Sequence, residues 1–148
     1  MAMDSPLCAY LYAVEQALEA DGVWTDVWRA AARHHDGVRQ HIGIIEWSST
    51  NRANTRPWPG GLTFARFPDR WVYTDVPYSG VPERHQALPL DPWAEPGTVA
   101  LLARHLLVHG PEAIPSPASN CGWSGAETAQ AALDRLARDP DGTDIFFP

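Results

Sequence analysis

Two turn dipeptides constrain this chain more than anything else in it. Asp36-Gly37 stands between VWTDVWRAAARHH (23–35) and VRQHIGIIEWS (38–48), and Pro68-Asp69 stands between LTFARF (62–67) and WVYTDVP (71–77). Asp-Gly tolerates positive φ at both central residues, which is what a two-residue turn must have to match the twist of its strands. Pro-Asp is a second turn dipeptide. The flanking runs are rich in β-branched and aromatic residues, which fit a pleated, half-buried surface. Two hairpins in succession predict a four-stranded antiparallel meander. The Ala-rich end of 23–35 leaves a helix as the alternative for that segment.

Helical signals surround this block. In SPLCAYLYAVEQALEA (5–20), Ser5 can cap, Pro6 suits the first turn, and Leu7, Leu11, Val14 and Leu18 form one stripe. PGTVALLARHLLVHG (96–110) reads as a largely apolar, buried helix stopped by Gly110-Pro111. Ser124 and Glu127 make a capping box for a third helix running to about Arg138, with Ala129, Leu133 and Leu136 inward and Asp139-Pro140 closing it. The predicted class is α+β: a four-stranded antiparallel meander of two hairpins, with one N-terminal helix and two C-terminal helices over one face. No repeat or linker divides the chain, so residues 1–148 are expected to form a single globular domain. The apolar Ile145-Phe146-Phe147 near the end is expected to pack back on it or to contact a second copy in a homodimer.

Composition excludes several functions. The net charge of −7 repels a phosphate backbone, which argues against general nucleic-acid binding. No apolar run reaches the length of a membrane span, so no membrane association is expected. MAMDSPLCAY lacks the basic and apolar regions of a secretory signal, which points to a cytoplasmic protein. Cys8 and Cys121 make no disulfide framework and read as reduced, packed thiols. All 11 basic residues are Arg, so Schiff-base chemistry on lysine is excluded.

The meander also predicts where a site would lie. Its turns alternate between the two ends of the sheet. Opposite the two short turns fall the start of strand one, the connection 48–61 and the exit into 78–95, both connections long enough to carry function. That rim would collect Trp58, Trp93, Trp24 and Trp47 with Arg52, Arg56 and Arg84 as ligand contacts. Asp75, Asp26 and His85 are the candidates for acid–base work, because carboxylates inside strand patterns are disfavoured unless something there uses them. Trp58, held between two prolines in NRANTRPWPGG (51–61), reads either as a lid on the core or as a contact for a ligand. An aromatic stripe at alternate strand positions, Trp24, Trp28 and Trp47 in one hairpin and Phe64, Trp71 and Tyr73 in the other, reads as core.

Other candidates are weaker. His34 and His41 should share a face of the first hairpin, near Asp36, and His105 and His109 are spaced i, i+4 on a helix. Neither pair has the further ligand a metal site needs, so no metal and no cofactor is expected. Cys121 precedes a helix N-terminus, which can activate a thiol, but sequence supplies it with no base. No phosphate loop, nucleophile elbow or dinucleotide fingerprint is present. Arg66 and Trp71 can form a cation–π pair.

The stretches AVEQALEADGV, LTFARFPDRWVYTDV and LPLDPWAEPGTVALLARHLL, taken in that order, resemble a group of small uncharacterised actinobacterial domains. The resemblance covers residues 7–110 and implies the same α+β layout and a bacterial cytosolic setting, with no activity attached. The leading functional expectation is a non-catalytic accessory protein that binds a small aromatic or apolar molecule, or a protein segment, at the aromatic and Arg-bearing rim. The alternative is a small cofactor-free enzyme of secondary metabolism, a cyclase, isomerase or hydrolase with a Trp-lined pocket.

Overall fold

A computed structural model of the chain describes residues 5–55, 58–75, 85–117 and 122–137. The order of elements is α1 (Pro6–Ala20), β1 (Val27–His35), β2 (Val38–Trp47), β3 (Leu62–Phe67), β4 (Arg70–Thr74), β5 (Gln86–Ala87), α2 (Pro96–His109) and α3 (Ala126–Ala137). The sheet is antiparallel throughout, with strand order β1-β2-β3-β4-β5. The fold is therefore α+β, with a meander of five strands where the sequence predicted four. The additional β5 is a two-residue edge strand, too short to show any periodicity, that pairs Gln86 with Tyr73 and Ala87 with Val72.

Both short turns form where the dipeptides place them. Asp36 (φ 53) and Gly37 (φ 78) both take positive φ, the conformation of a type I′ hairpin turn. His35 consequently pairs with Val38, and Trp28 with Ile45, which fixes the register of the first hairpin. Phe67 pairs with Arg70 across Pro68-Asp69, so Phe64 faces Tyr73 and Arg66 faces Trp71. The Ala-rich end of β1 is strand and not helix: Ala30, Ala31 and Ala32 pair with Gly43, Ile42 and His41. Small side chains suit this position because α1 packs closely there. A Cβ on Gly43 would meet Leu11 Cδ2 at 2.7 Å.

The core lies between the sheet and the helices. Leu7, Leu11, Val14 and Leu18 of α1 are all fully buried, as the stripe predicts, against Val99, Leu102 and Leu106 of α2 and the aromatic face of the sheet. Trp47 and Trp71 are among the largest fully buried side chains. The opposite face is also apolar: Ile42, Ile44, Ala65, Phe67 and Val72 form a second buried cluster. Every residue of β3 is buried, so its two faces both serve as interior. Among the described residues no helix is long and apolar enough to cross a membrane.

The connection from β2 to β3 depends on Gly61. Its φ is +103, and a Cβ there would lie 2.8 Å from the Trp47 carbonyl oxygen. Gly61→Ala is expected to cost about 1–3 kcal/mol of stability, because both the conformation and the backbone contact resist a side chain. Urea unfolding of the variant against wild type measures this. An unchanged midpoint would show that the connection relaxes freely.

Candidate functional site

The stretch 51–61 is stitched to the end of α2. The carbonyls at the end of an α-helix are open to partners from outside the helix. Here Trp58 donates its indole N–H to the Leu106 carbonyl at 2.6 Å. The Thr55 backbone N–H reaches the Leu107 carbonyl at 3.0 Å. The Thr55 hydroxyl lies 3.2 Å from the carbonyls of Leu107 and Val108. Asn54 holds the loop from within by donating to the Trp58 carbonyl at 2.7 Å. The Trp58 ring is 5 % exposed and meets Tyr73 edge-on, with centroids 5.8 Å apart. Trp58 thus caps a helix and closes the core, the lid of the two readings, and its outer edge still faces a cleft.

That cleft has a volume of about 350 Å³ and is lined by Trp58, Tyr73, Thr74, Asp75, His85 and Gln86. It lies at the sheet end opposite the two short turns. Three residues singled out from the sequence, Trp58, Asp75 and His85, come together in it. Asp75 is exposed at its edge and His85 is half-buried. His85 Nε2 lies 3.4 Å from Arg70 Nη2, and its ring packs 5.9 Å from Phe67. Burial raises the pKa of the Tyr73 phenol, and the negative charge of Asp75 adds to the effect, so Tyr73 is a hydrogen-bond donor at neutral pH.

The remaining candidates lie elsewhere. Asp26 is exposed and accepts hydrogen bonds from Ser48 N at 2.8 Å and Asn51 Nδ2 at 2.6 Å. Its partial burial acts to raise the pKa, but these bonds outweigh it and hold the carboxyl below its ordinary value. Asp26 therefore pins the start of the 48–61 connection as a carboxylate. Trp24 is 60 % exposed and lines no part of the cleft. Trp47 is enclosed in the core and donates its N–H to the Val23 carbonyl at 3.2 Å. Arg52 is exposed and also lies off the cleft. Arg56, Arg84, Cys121 and Ile145-Phe146-Phe147 fall outside the described residues.

Trp93 is drawn away from the rim altogether. An antiparallel bridge between Ala94 and Gly122 brings it against Trp123, with rings stacked at 6.0 Å. Tyr10 stands between them, 5.1 Å from Trp93 and 5.2 Å from Trp123. Arg66 lays its guanidinium 4.1 Å from the Trp93 ring centroid. Sequence spacing could not pair Trp93 with Trp123, because the bridge between them is non-local and carries no periodic signal. Of the histidine pairs, His105 and His109 lie ring to ring at 5.2 Å, and His105 Nε2 sits 2.8 Å from the Glu112 carbonyl. No group of three or more metal-ligating side chains occurs among the described residues.

Compared with known proteins, the chain matches no family model, no curated protein and no solved structure. Its function has to be read from its own side chains.

Proposed function

We propose that the protein is a non-catalytic accessory protein that binds a small aromatic molecule in the cleft beside Trp58 and Tyr73. One observation carries this reading: two aromatic side chains and a carboxylate converge on a concave space of about 350 Å³. A mostly apolar wall with a few polar groups at its edge is the usual make-up of a small-ligand site. Among the described residues lining the cleft the charged side chain is Asp75, which favours an occupant with an N–H donor or ammonium group. Asp75 is exposed at the edge of the cleft, where the polar end of a bound molecule can reach it. The enzymatic alternative keeps Asp75 and His85 as its acid–base pair, since both line the same cleft.

A set of aromatic amines and the matching aromatic acids, titrated into the full chain by NMR, tests the proposal. The amines are expected to shift resonances around Tyr73 and Gln86, with weaker effects from the acids. Asp75→Asn is expected to weaken amine binding by about tenfold, the loss of one charge-assisted hydrogen bond, with the melting temperature unchanged. Absence of saturable shifts in this cleft with any compound would overturn the proposal. Turnover of a bound compound that Asp75→Asn abolishes would select the enzyme instead.

A further inference from the structure

A second cavity, of about 190 Å³, lies between the sheet and α3. Its floor is the turn end of β2 and β3, with Arg39, His41 and Arg66, and its roof is Gln130, Leu133 and Asp134 of α3. The register explains the cluster. Arg66 pairs with Gly43, and His41 lies two residues before Gly43 on the same face, which places it diagonally from Arg66 at about 7–8 Å between Cα atoms. All three floor residues are buried, at 8 % exposure for Arg39, 7 % for His41 and 1 % for Arg66.

Their polar atoms are incompletely used. Arg66 donates Nε–H to the Pro92 carbonyl at 2.9 Å and covers Trp93 with its guanidinium plane. Its Nη2 has no hydrogen-bond partner among the described residues, and neither ring nitrogen of His41 has one. A buried donor left unpaired costs free energy, more so when it is charged. Among the described residues the carboxylate lining this cavity is Asp134, which accepts from Gln130 Nε2 at 2.9 Å, and Gln130 in turn accepts from the Trp93 N–H at 2.8 Å. Two positive charges act on His41. Burial first, then the charges of Arg39 and Arg66, hold the His41 pKa below its ordinary value. Burial also brings Arg66 down to about 10, against the opposing influence of Tyr10 and Asp69.

We propose that this cavity is a binding site for a small oxyanion, a carboxylate or a phosphate, held between Arg66 Nη2 and the His41 imidazole. The oxygens of such an anion would pair the Arg66 and His41 donors left unmet among the described residues, and its charge would oppose that of Arg66. The volume suits a group of a few heavy atoms, and Asp134 at the roof works against a larger or more highly charged anion. This site is separate from the Trp58 cleft and does not depend on what that cleft binds.

Histidine imidazole NMR on the full chain tests the proposal, with the His41 signal identified by its loss in His41→Gln. Inorganic phosphate and acetate are titrated separately, at ionic strength held constant with chloride. Saturable movement of the His41 signal is expected with at least one of the two, and which one identifies the class of oxyanion. His41→Gln, followed through backbone amides of β2 and α3, is expected to weaken that binding by about tenfold or more. Arg66→Lys, which retains the charge, serves as a second variant if Arg66→Met fails to fold. The proposal is overturned if neither anion moves the His41 signal saturably, or if binding persists unweakened in both His41→Gln and a folded Arg66 variant.

Discussion

Trp58→Ala is expected to lower the free energy of unfolding by about 3–5 kcal/mol, the range for truncating a large buried aromatic side chain. Three losses combine. The ring leaves a void beside Tyr73, its edge-on partner at 5.8 Å. The loop loses its 2.6 Å bond to the Leu106 carbonyl. The closing segment, whose other hydrogen bonds to α2 among the described residues run through Thr55, loses a buried aromatic anchor. The Leu106 carbonyl keeps one partner, the Gly110 N–H at 2.9 Å, so the helix itself should persist. Trp58→Phe keeps most of the packing and removes the N–H, and is expected to cost about 1–2 kcal/mol. Guanidinium unfolding of the three proteins measures the series. A cost below about 1 kcal/mol for the alanine variant would show that the loop is not a clasp. Marginal stability makes the larger loss a substantial fraction of the total. For that reason Asp75, exposed and without a part in the core, is the cleaner position for testing the cleft.

Tyr10→Ala is expected to cost a similar 3–5 kcal/mol, for a different reason. Tyr10 is fully buried on α1, and its hydroxyl donates to the Ala94 carbonyl at 2.6 Å. Its ring touches Trp71 at 6.3 Å as well as Trp93 and Trp123. It therefore joins α1, the sheet, the lead into α2 and the lead into α3. The alanine variant should lose near-ultraviolet circular dichroism, because the Trp93–Trp123 stack loses its wedge, while far-ultraviolet signal is retained. Tyr10→Phe keeps the wedge and strands the Ala94 carbonyl, at an expected cost of about 1–3 kcal/mol. Equal losses for Phe and Ala would mean that the hydroxyl, and not the ring, organises this corner. Burial raises the Tyr10 pKa strongly, so its hydroxyl remains protonated and this contact should be insensitive to pH through the neutral range.

Comparison of particular elements shows what sequence pattern can carry. The α1 stripe is legible because burial on a helix follows its period, and the observed helix begins at Pro6 with the Ser5 hydroxyl accepting from Leu7 N. LTFARF is legible as a strand to the residue, because a turn dipeptide ends it and Gly61 precedes it. The first strand starts at Val27, four residues later than the apolar run at Val23 suggests. Residues Val23 to Asp26 are engaged otherwise: Val23 packs in the core, and Trp24 and Asp26 accept bonds from Asn51. A run of apolar residues does not reveal which of them a side chain elsewhere will capture.

The candidate site divides along the same line. Alternating turns place Trp58, Asp75 and His85 at one end of the sheet, and local turn chemistry is sufficient to derive that. The pairing of Trp93 with Trp123, the capture of Arg66 by Trp93, and the gathering of His41 and Arg66 under α3 rest on contacts between residues far apart in the chain. Local rules determined the helices, the two tight turns and the register of both hairpins, because each is set by neighbours a few residues away. Only the tertiary structure decided which indoles became core, which remained beside open space, and which buried charges were left with donors unmet. Those outcomes depend on how α2, α3 and the long connections close over the sheet, and no short-range pattern encodes that closure.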